Sequence, residues 1–146
     1  ADTSIEQWLL ADWLDKWRGV PLDPVAFNRD YFKAQQFMCS AVQARIDKTM
    51  QPDPDDPKKL TPKKMMELGI TRRVHVTNIT PRGGESNSYR LDWTETLYRN
   101  SQAIQQAKLT ADAELRYFTP ETGTDAAKNP YGMYICGFDS ALAPTS

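Results

Sequence analysis

The side chain best suited to acid–base chemistry in this sequence is Glu95, because it is an acid at a predicted buried position. Residues 87–98 read NSYRLDWTETLY and alternate with a period of two, which is typical of a β-strand with one buried face. The apolar set of this strand consists of Tyr89, Leu91, Trp93, Glu95 and Leu97. A carboxylate in such a set must find a cationic partner, reach water or take up a proton.

Two interpretations of Glu95 follow. If it faces a pocket beside Tyr98 or His75, it could act as the acid or base of a pocket enzyme or contact a small ligand. If it pairs with an arginine such as Arg73 or Arg116, or reaches water near the strand end, its role is structural. We favour the structural interpretation, because no second acid or base stands at a recognisable spacing.

The remaining reactive side chains do not form a recognisable site. His75 has no further ligands at zinc-site spacing, so we interpret it as structural and expect neither a metal nor a cofactor. Cys39 and Cys136 are not in a CxxC pair, and they either form one disulfide or remain two buried thiols. The acidic segment 53–56 lacks the glycine and glutamate of a calcium-binding loop and indicates a solvated loop.

Length and charge restrict the classes of protein further. The 146 residues predict a single domain, 1–146, with ordinary globular composition. The formal net charge is −1 and no segment concentrates lysine and arginine, which argues against direct binding to nucleic acid. No apolar run approaches the ~20 residues that span a bilayer.

The predicted elements place helices before strands. Helices are predicted over 4–18, over about 23–49, and from Pro62 to a stop at Gly69, with a loop over 51–62. Strands are predicted over 72–80, 87–98, 105–118 and 133–138, with turns at 82–84 and 100–101, a loop from Thr119 to Lys128, and a frayed tail over 139–146. This order predicts an α+β fold with an antiparallel sheet wrapped around a long helix.

Aromatic residues of the first helix and of a late turn are candidate partner contacts. Ile5, Leu9, Leu10, Trp13, Leu14 and Trp17 fill an apolar sector wider than a surface helix needs, with Trp8 to one side. This predicts either packing on two sides within one domain or an edge offered to a partner chain, and both remain open. The partner interpretation expects Trp8, Trp13 and Tyr131 to be partly exposed. It also expects Phe27, Tyr31 and Met38 to fill the space under the sheet.

Three segments together resemble a known family. They are YRLDWTE over 89–95, with Trp93 and Glu95 in a W-x-E pattern; NPYG over 129–132, followed by MYI; and a helical opening that passes through Trp17-Arg18 and 21–23. In order and spacing the chain resembles the periplasmic domain of the bitopic inner-membrane assembly subunit of type IV secretion systems, in its TrbF-like conjugative branch. The likeness covers nearly the whole chain.

The resemblance implies a fold similar to nuclear transport factor 2, with N-terminal helices packed on a curved four-stranded antiparallel sheet. It implies a non-enzymatic scaffold in the periplasm, anchored by one membrane helix before Ala1. Such a protein forms a weak homodimer through helix one and the sheet rim, and binds other secretion subunits without cofactor or nucleic acid. We expect Trp8, Trp13 and the turn Asn129, Pro130, Tyr131, Gly132 to contact partners, and Trp93 and Glu95 to be structural. The chain differs from the family in its two cysteines and in its tail after Phe138.

Overall fold

Within residues 3–83, 87–119 and 127–140, which the computed structural model describes, four helices precede four strands. The helices are α1 (Thr3–Arg18), α2 (Pro24–Gln35), α3 (Ser40–Thr49) and α4 (Pro62–Glu67). The strands are β1 (Ile70–Pro81), β2 (Ser88–Arg99), β3 (Gln102–Tyr117) and β4 (Met133–Ser140). They form one antiparallel sheet in the order β1-β2-β3-β4, with the helices packed against it, which confirms the predicted fold class.

Local sequence signals account for several helix starts. The carboxylate of Asp23 accepts a hydrogen bond from the backbone N–H of Val25 at 3.0 Å, at the start of α2. The hydroxyl of Thr61 accepts one from the backbone N–H of Lys64 at 3.1 Å, at the start of α4. These caps satisfy backbone donors that have no partner within the first helical turn.

The prediction of one continuous helix over 23–49 is wrong, because a short extended segment separates α2 from α3. In this segment the backbone N–H of Cys39 donates to the carbonyl oxygen of Ile135 at 3.0 Å. The N–H of Ile135 in turn donates to the carbonyl oxygen of Phe37 at 2.7 Å. Residues 37–39 thus bridge to β4 in parallel, and these bonds replace those of a continuous helix. No proline or glycine marks the break in the sequence.

The sheet is a simple meander whose inner face follows the predicted alternation. Tyr89, Leu91, Trp93, Glu95 and Leu97 of β2 are all buried. Between β2 and β3 the chain turns through Asn100 and Ser101, whose φ angles are both positive, at 52° and 64°. A two-residue turn of this kind matches the twist of the strands that it joins.

The last strand is longer than the sequence predicts. Asp139 and Ser140 were assigned to a frayed tail, but they continue β4 and pair with β3. In β4, Tyr134 and Cys136 are half-buried, so one face of this strand is fully covered and the other only partly. The rest of the predicted tail, Gly84 of the predicted turn, and residues 120–126 of the predicted loop lie outside the described residues.

An aromatic cluster at the centre of the domain joins the helices to the sheet. Trp13 and Trp17 of α1 meet Phe138 of β4 with ring centroids 5.3 and 5.5 Å apart, in edge-to-face contacts. Trp93 of β2 lies 6.5 Å from the same phenylalanine ring. Such rings bury large apolar areas and favour these geometries.

None of the described helices combines the length and hydropathy needed to cross a lipid bilayer.

A disulfide links the segment between α2 and α3 to the last strand. Cys39 and Cys136 are joined with their Cα atoms 4.8 Å apart, within the usual range for a disulfide. The two residues are 97 positions apart in the chain, so the bond closes a loop that spans most of the domain. A long closed loop restricts the unfolded chain more than a short one does.

We expect reduction of this disulfide to lower the free energy of unfolding by about 2–4 kcal/mol, because the unfolded chain regains the entropy of the open loop. Urea denaturation followed by tryptophan fluorescence, with and without a reductant, measures the difference. The double variant Cys39→Ser, Cys136→Ser is the control, since a reductant should not move its midpoint. A wild-type midpoint that ignores the reductant would contradict the expectation.

Candidate functional site

Glu95 accepts three hydrogen bonds in a buried cluster that ties α1 to the sheet. Arg18 at the end of α1 donates from Nε to Oε2 and from Nη2 to Oε1, both at 2.6 Å. The indole N–H of Trp93 donates to Oε2 at 2.8 Å. Glu95 and Arg18 are only 7% and 8% exposed. The fork of an arginine on a carboxylate is a strong, directional interaction, and here water scarcely screens it.

Arg72 of β1 is the second buried cation of this cluster. Its Nε donates to the carbonyl oxygen of Arg18 at 2.6 Å and lies 3.9 Å from Oε1 of Glu95. The backbone of Arg72 also exchanges two hydrogen bonds of 2.9 Å with Val20. Arg72 therefore fixes the position of the α1 end, both through its backbone and through its side chain.

The environment of Glu95 makes it a poor general base. Burial alone would raise the pKa of the Glu95 carboxyl, but the hydrogen bonds and charge of Arg18, the charge of Arg72 and the indole of Trp93 hold it below its ordinary value. A carboxylate with a lowered pKa and three donors has little affinity for a substrate proton. The geometry of this cluster therefore supports a structural role, not proton transfer.

The arginines named in the sequence analysis are not the partners of Glu95. Arg73 is exposed and lies over the ring of Tyr98 at 5.1 Å, and Arg116 is exposed near Glu114 at 3.5 Å. Strand parity could have identified Arg72, because it occupies the same alternating set as Ile70 in β1. It pairs with Leu97 in β2, so Glu95 is its diagonal neighbour. Arg18 has no comparable signal, since its contact depends on how α1 packs.

The space under the sheet is only partly filled. Met38 belongs to the main core, while Phe27 belongs to a second, smaller cluster and stacks on Tyr31 at 5.9 Å. A cavity of about 580 Å³ remains, with Arg18, Arg72 and Glu95 among its lining residues. The expectation that side chains fill this space completely is therefore wrong.

The turn at 129–132 is rigid and presents an aromatic side chain. Asn129 is buried, where its Nδ2 donates to the carbonyl oxygens of Met133 at 2.7 Å and Gln36 at 3.3 Å. Gly132 is also buried and has a φ of +61°, a conformation that glycine adopts without strain. Asn129 and Gly132 hold the turn from inside, and Tyr131 between them is 55% exposed.

Further exposed aromatic residues surround this turn. Phe32 of α2, 54% exposed, lies 5.7 Å from the ammonium group of Lys128. Phe118, 53% exposed, donates its backbone N–H to the carbonyl oxygen of Gly132 at 2.8 Å. We call Phe32, Phe118 and Tyr131 the aromatic rim. Large exposed apolar side chains that lie close together are typical of protein contact sites.

The two candidate tryptophans of α1 lie in different environments. Trp8 is 64% exposed, as expected for a partner contact, and its neighbour Ile5 is 39% exposed. The expectation that Trp13 is partly exposed is wrong, because it is 2% exposed and donates its indole N–H to the carbonyl oxygen of Ala34 at 3.2 Å. The wide apolar sector of α1 thus contacts both the sheet and α2, with Trp8 at its outer edge.

His75 lies on an exposed position of β1, opposite Thr94. Across the described ranges, no group of three or more histidine, cysteine, aspartate or glutamate residues is arranged to hold a metal ion. The acidic loop residues Asp53 and Asp56 accept hydrogen bonds from nearby backbone N–H groups, as in ordinary turns.

Comparison with known families yields one match over nearly the whole chain. The profile of a family described as VirB8 protein matches residues 1–141. No curated protein sequence matches the chain.

Solved structures with the same fold agree with the profile. The VirB8 protein of Agrobacterium tumefaciens has a TM-score of 0.78 at 12% identity, and the match covers 98% of this chain and 94% of that one. A TrwG component of the type IV secretion system from Bartonella birtlesii has a TM-score of 0.76 at 15% identity, with 99% and 94% covered. The soluble domain of TrwG from Bartonella grahamii has a TM-score of 0.75 at 16% identity, with 95% and 94% covered.

We expect Glu95→Gln to lower the free energy of unfolding at pH 7 by about 3–5 kcal/mol, because two buried guanidinium groups lose the carboxylate that they share. The matched control is Glu114→Gln, which removes an exposed carboxylate near Arg116 and should cost about 0–1 kcal/mol. Urea denaturation of both variants and the wild type gives the two differences. Equal, small losses would contradict a central role for Glu95.

The difference in the free energy of unfolding between the wild type and Glu95→Gln should depend on pH. Because the folded state lowers the pKa of Glu95, the stabilisation is fully present above the ordinary value of 4.5 and is lost as the pH falls through the lowered pKa. Denaturation curves from pH 7 downwards should therefore show the wild type losing its advantage over Glu95→Gln below about pH 4.5. An advantage that is constant down to the lowest pH would contradict the lowered pKa.

Proposed function

The chain belongs to the VirB8 family of type IV secretion components, and from this premise we propose that it is a non-catalytic assembly subunit. In this proposal residues 1–146 form one periplasmic domain that associates weakly with a second copy and binds other subunits of the secretion channel. Within the family we place it in the TrbF-like conjugative branch, on the strength of the YRLDWTE and NPYG segments. It acts without a cofactor and without direct contact to nucleic acid.

The observation that carries this proposal is Tyr131, an exposed tyrosine in a turn that hydrogen bonds hold in place. Asn129 donates hydrogen bonds to the carbonyl oxygens of Met133, after the turn, and of Gln36, at the end of α2, and the N–H of Gly132 donates to the carbonyl oxygen of Asn129 at 3.0 Å. The backbone on both sides of Tyr131 is thereby held in place before any partner arrives. A rigid aromatic anchor loses little conformational entropy on binding, which is why such residues dominate many interfaces.

The aromatic rim gives this anchor the surroundings of a contact site. Phe32 and Phe118 come from α2 and the end of β3, so the surface joins both layers of the domain. Pro130 and Lys128 add a rigid and a charged residue beside the rings. We assign this surface to contact with other secretion subunits.

The outer edge of α1 supports the proposed homodimer. Trp8 and Ile5 lie one helical turn apart and are both exposed. Two such edges, one from each copy, would bury both side chains in a two-fold contact that the sheet rim extends. A contact built mainly on these two side chains of each copy would bury a small area, as expected for a weak dimer rather than an obligate one.

The proposed location follows from the family and agrees with the chemistry of the domain. A disulfide such as that between Cys39 and Cys136 persists in an oxidising compartment like the bacterial periplasm. We propose that a single membrane helix precedes this domain in the full-length protein. The encoded sequence upstream of Ala1 tests this, since an apolar segment of about 20 residues is required.

We expect Tyr131→Ser in the full-length protein to weaken partner binding about 30-fold, because loss of a central aromatic anchor costs about 2 kcal/mol. Cross-linking and co-purification of the other secretion subunits from cells measure binding, and conjugative transfer frequency measures function. Tyr98→Ser, which removes a tyrosine packed under Arg73, is the matched control. If the Tyr131→Ser variant is present at normal abundance and still supports wild-type transfer and co-purification, Tyr131 is not a binding anchor.

We expect Trp8→Ser to weaken self-association by at least about tenfold, because a large exposed ring is lost from each half of the contact. Sedimentation at several protein concentrations measures the dimer constant. Val25→Ser removes another exposed apolar side chain, on α2, and should leave that constant unchanged. A domain that stays monomeric at millimolar concentration, or a Trp8→Ser variant that dimerises normally, would contradict the proposed α1 contact.

A further inference from the structure

β3 extends well beyond the strand that follows it, so part of its length has a neighbour on one side only. β3 has 16 residues and β4 has 8. β2 pairs with β3 from Gln102 to Glu114, whereas β4 pairs with it only from Ala111 to Tyr117. Among the described strands, none pairs with residues 102–110 on the side opposite β2. We call this side of residues 102–110 the open edge of β3.

The hydrogen-bonding groups of this edge alternate in direction, as in any strand. The N–H of Leu115 donates to the carbonyl oxygen of Asn87 at 2.8 Å, on the side of β2. The register between β2 and β3 is continuous down to Gln105, so every second residue from Leu115 to Gln105 faces β2. Gln106 and Thr110 therefore direct their backbone N–H and C=O groups to the open edge. Both residues are exposed, and an edge of this kind is a template for a further strand.

The sheet beside the open edge is apolar on its inner face. Ala107 and Leu109 are buried there and line the cavity under the sheet. Met50, at the end of α3, and Leu60, before α4, line the same cavity. An added strand would therefore place every second side chain against apolar groups and the others in water. Its partner sequence must then alternate between apolar and polar residues.

β4 sets the expected direction of the added strand. Ile135 of β4 is buried, and its backbone groups point away from β3, to Phe37 and Cys39. In a strand that continues the direction of β4, inward side chains thus belong to residues whose N–H groups point away from β3. The residues with outward side chains supply the donors and acceptors for the open edge.

We propose that the open edge of β3 binds an extended segment of a partner protein, which adds a strand antiparallel to β3 and in line with β4. The backbone of this segment pairs with that of Gln106 and Thr110, and its apolar side chains lie against Ala107 and Leu109. Only an extended chain presents donors and acceptors at the spacing of a strand edge, which excludes a helix as the occupant. The surface includes neither the aromatic rim nor Trp8, so it goes beyond the assembly contacts proposed above and is tested apart from them.

The probe is the peptide KVTVTVE with blocked ends, in which valines alternate with polar residues. Titration into the folded domain, followed by the amide NMR signals and the amide hydrogen exchange of β3, gives both the affinity and the location. We expect saturable binding with a dissociation constant below about 1 mM. Exchange at Gln106 and Thr110 should slow by at least about tenfold on saturation, while exchange at Gln105, whose N–H faces β2, should change little.

Two N-methylated peptides separate backbone pairing from side-chain contact. N-methylation of the two threonines removes donors that face β3 and should weaken binding by at least about tenfold. N-methylation of the first two valines adds the same number of methyl groups on the opposite edge and should leave the affinity within about twofold. Equal effects of the two modifications, or effects in the reverse order, would overturn the proposal.

Two substitutions at one position give a matched pair in the protein. Gln106→Pro removes the N–H that faces the open edge, and proline is tolerated at such edge positions. This variant should lose peptide binding, whereas Gln106→Ala keeps the N–H and should bind normally. Full binding by a folded Gln106→Pro variant would contradict the proposal. If Gln106→Pro does not fold, the two methylated peptides still decide the question.

Other occupants of the open edge give distinct results. If deletion of residues 141–146 by itself speeds exchange at Gln106, the edge belongs to the end of this chain. If exchange at Gln106 slows as the protein concentration rises without peptide, the edge belongs to a second copy. Either result, or no saturable peptide binding up to about 10 mM, would overturn the proposal.

Discussion

The contact between Arg18 and Glu95 is the constraint on which the arrangement of the two layers depends. A carboxylate on the inner face of a central strand cannot remain without partners, and the last residue of α1 supplies two of its three hydrogen bonds. This requirement sets where α1 ends relative to the sheet. The backbone pairing of Val20 with Arg72 then continues the same attachment along the chain. With the end of α1 fixed, Trp13 and Trp17 meet Phe138, and the aromatic core closes around them.

This arrangement places the charged cluster of Glu95 and the exposed aromatic side chains in different parts of the domain. The acid that could have served catalysis is used to hold two layers together, and its lowered pKa reflects that use. The aromatic side chains divide in a similar way, since Trp13 is buried against α2 while Trp8 and Tyr131 remain exposed. The interior around Glu95 is thus fixed by hydrogen bonds, whereas the aromatic side chains of Trp8 and Tyr131 face the solvent.

The sequence predicted the strands well, because alternation records which face of a strand is buried. The inner set of β2 from Tyr89 to Leu97 and the turn at Asn100-Ser101 follow from local patterns alone. The break between α2 and α3 could not be predicted in this way, since it depends on hydrogen bonds to Ile135, almost a hundred residues away. The burial of Trp13 and the pairing of Glu95 with Arg18 could not be predicted for the same reason. Both are decided by how α1 packs on elements that come later in the chain.

The extended segment at 37–39 also restricts the order in which parts of the domain can fold. Its backbone groups bond to Ile135, which lies in β4, the strand farthest along the described part of the chain. Until that strand arrives, the junction between α2 and α3 has no sheet to bind, so water or the helix itself must satisfy those groups in the nascent chain. The junction between α2 and α3 is therefore completed only when β4 joins the sheet.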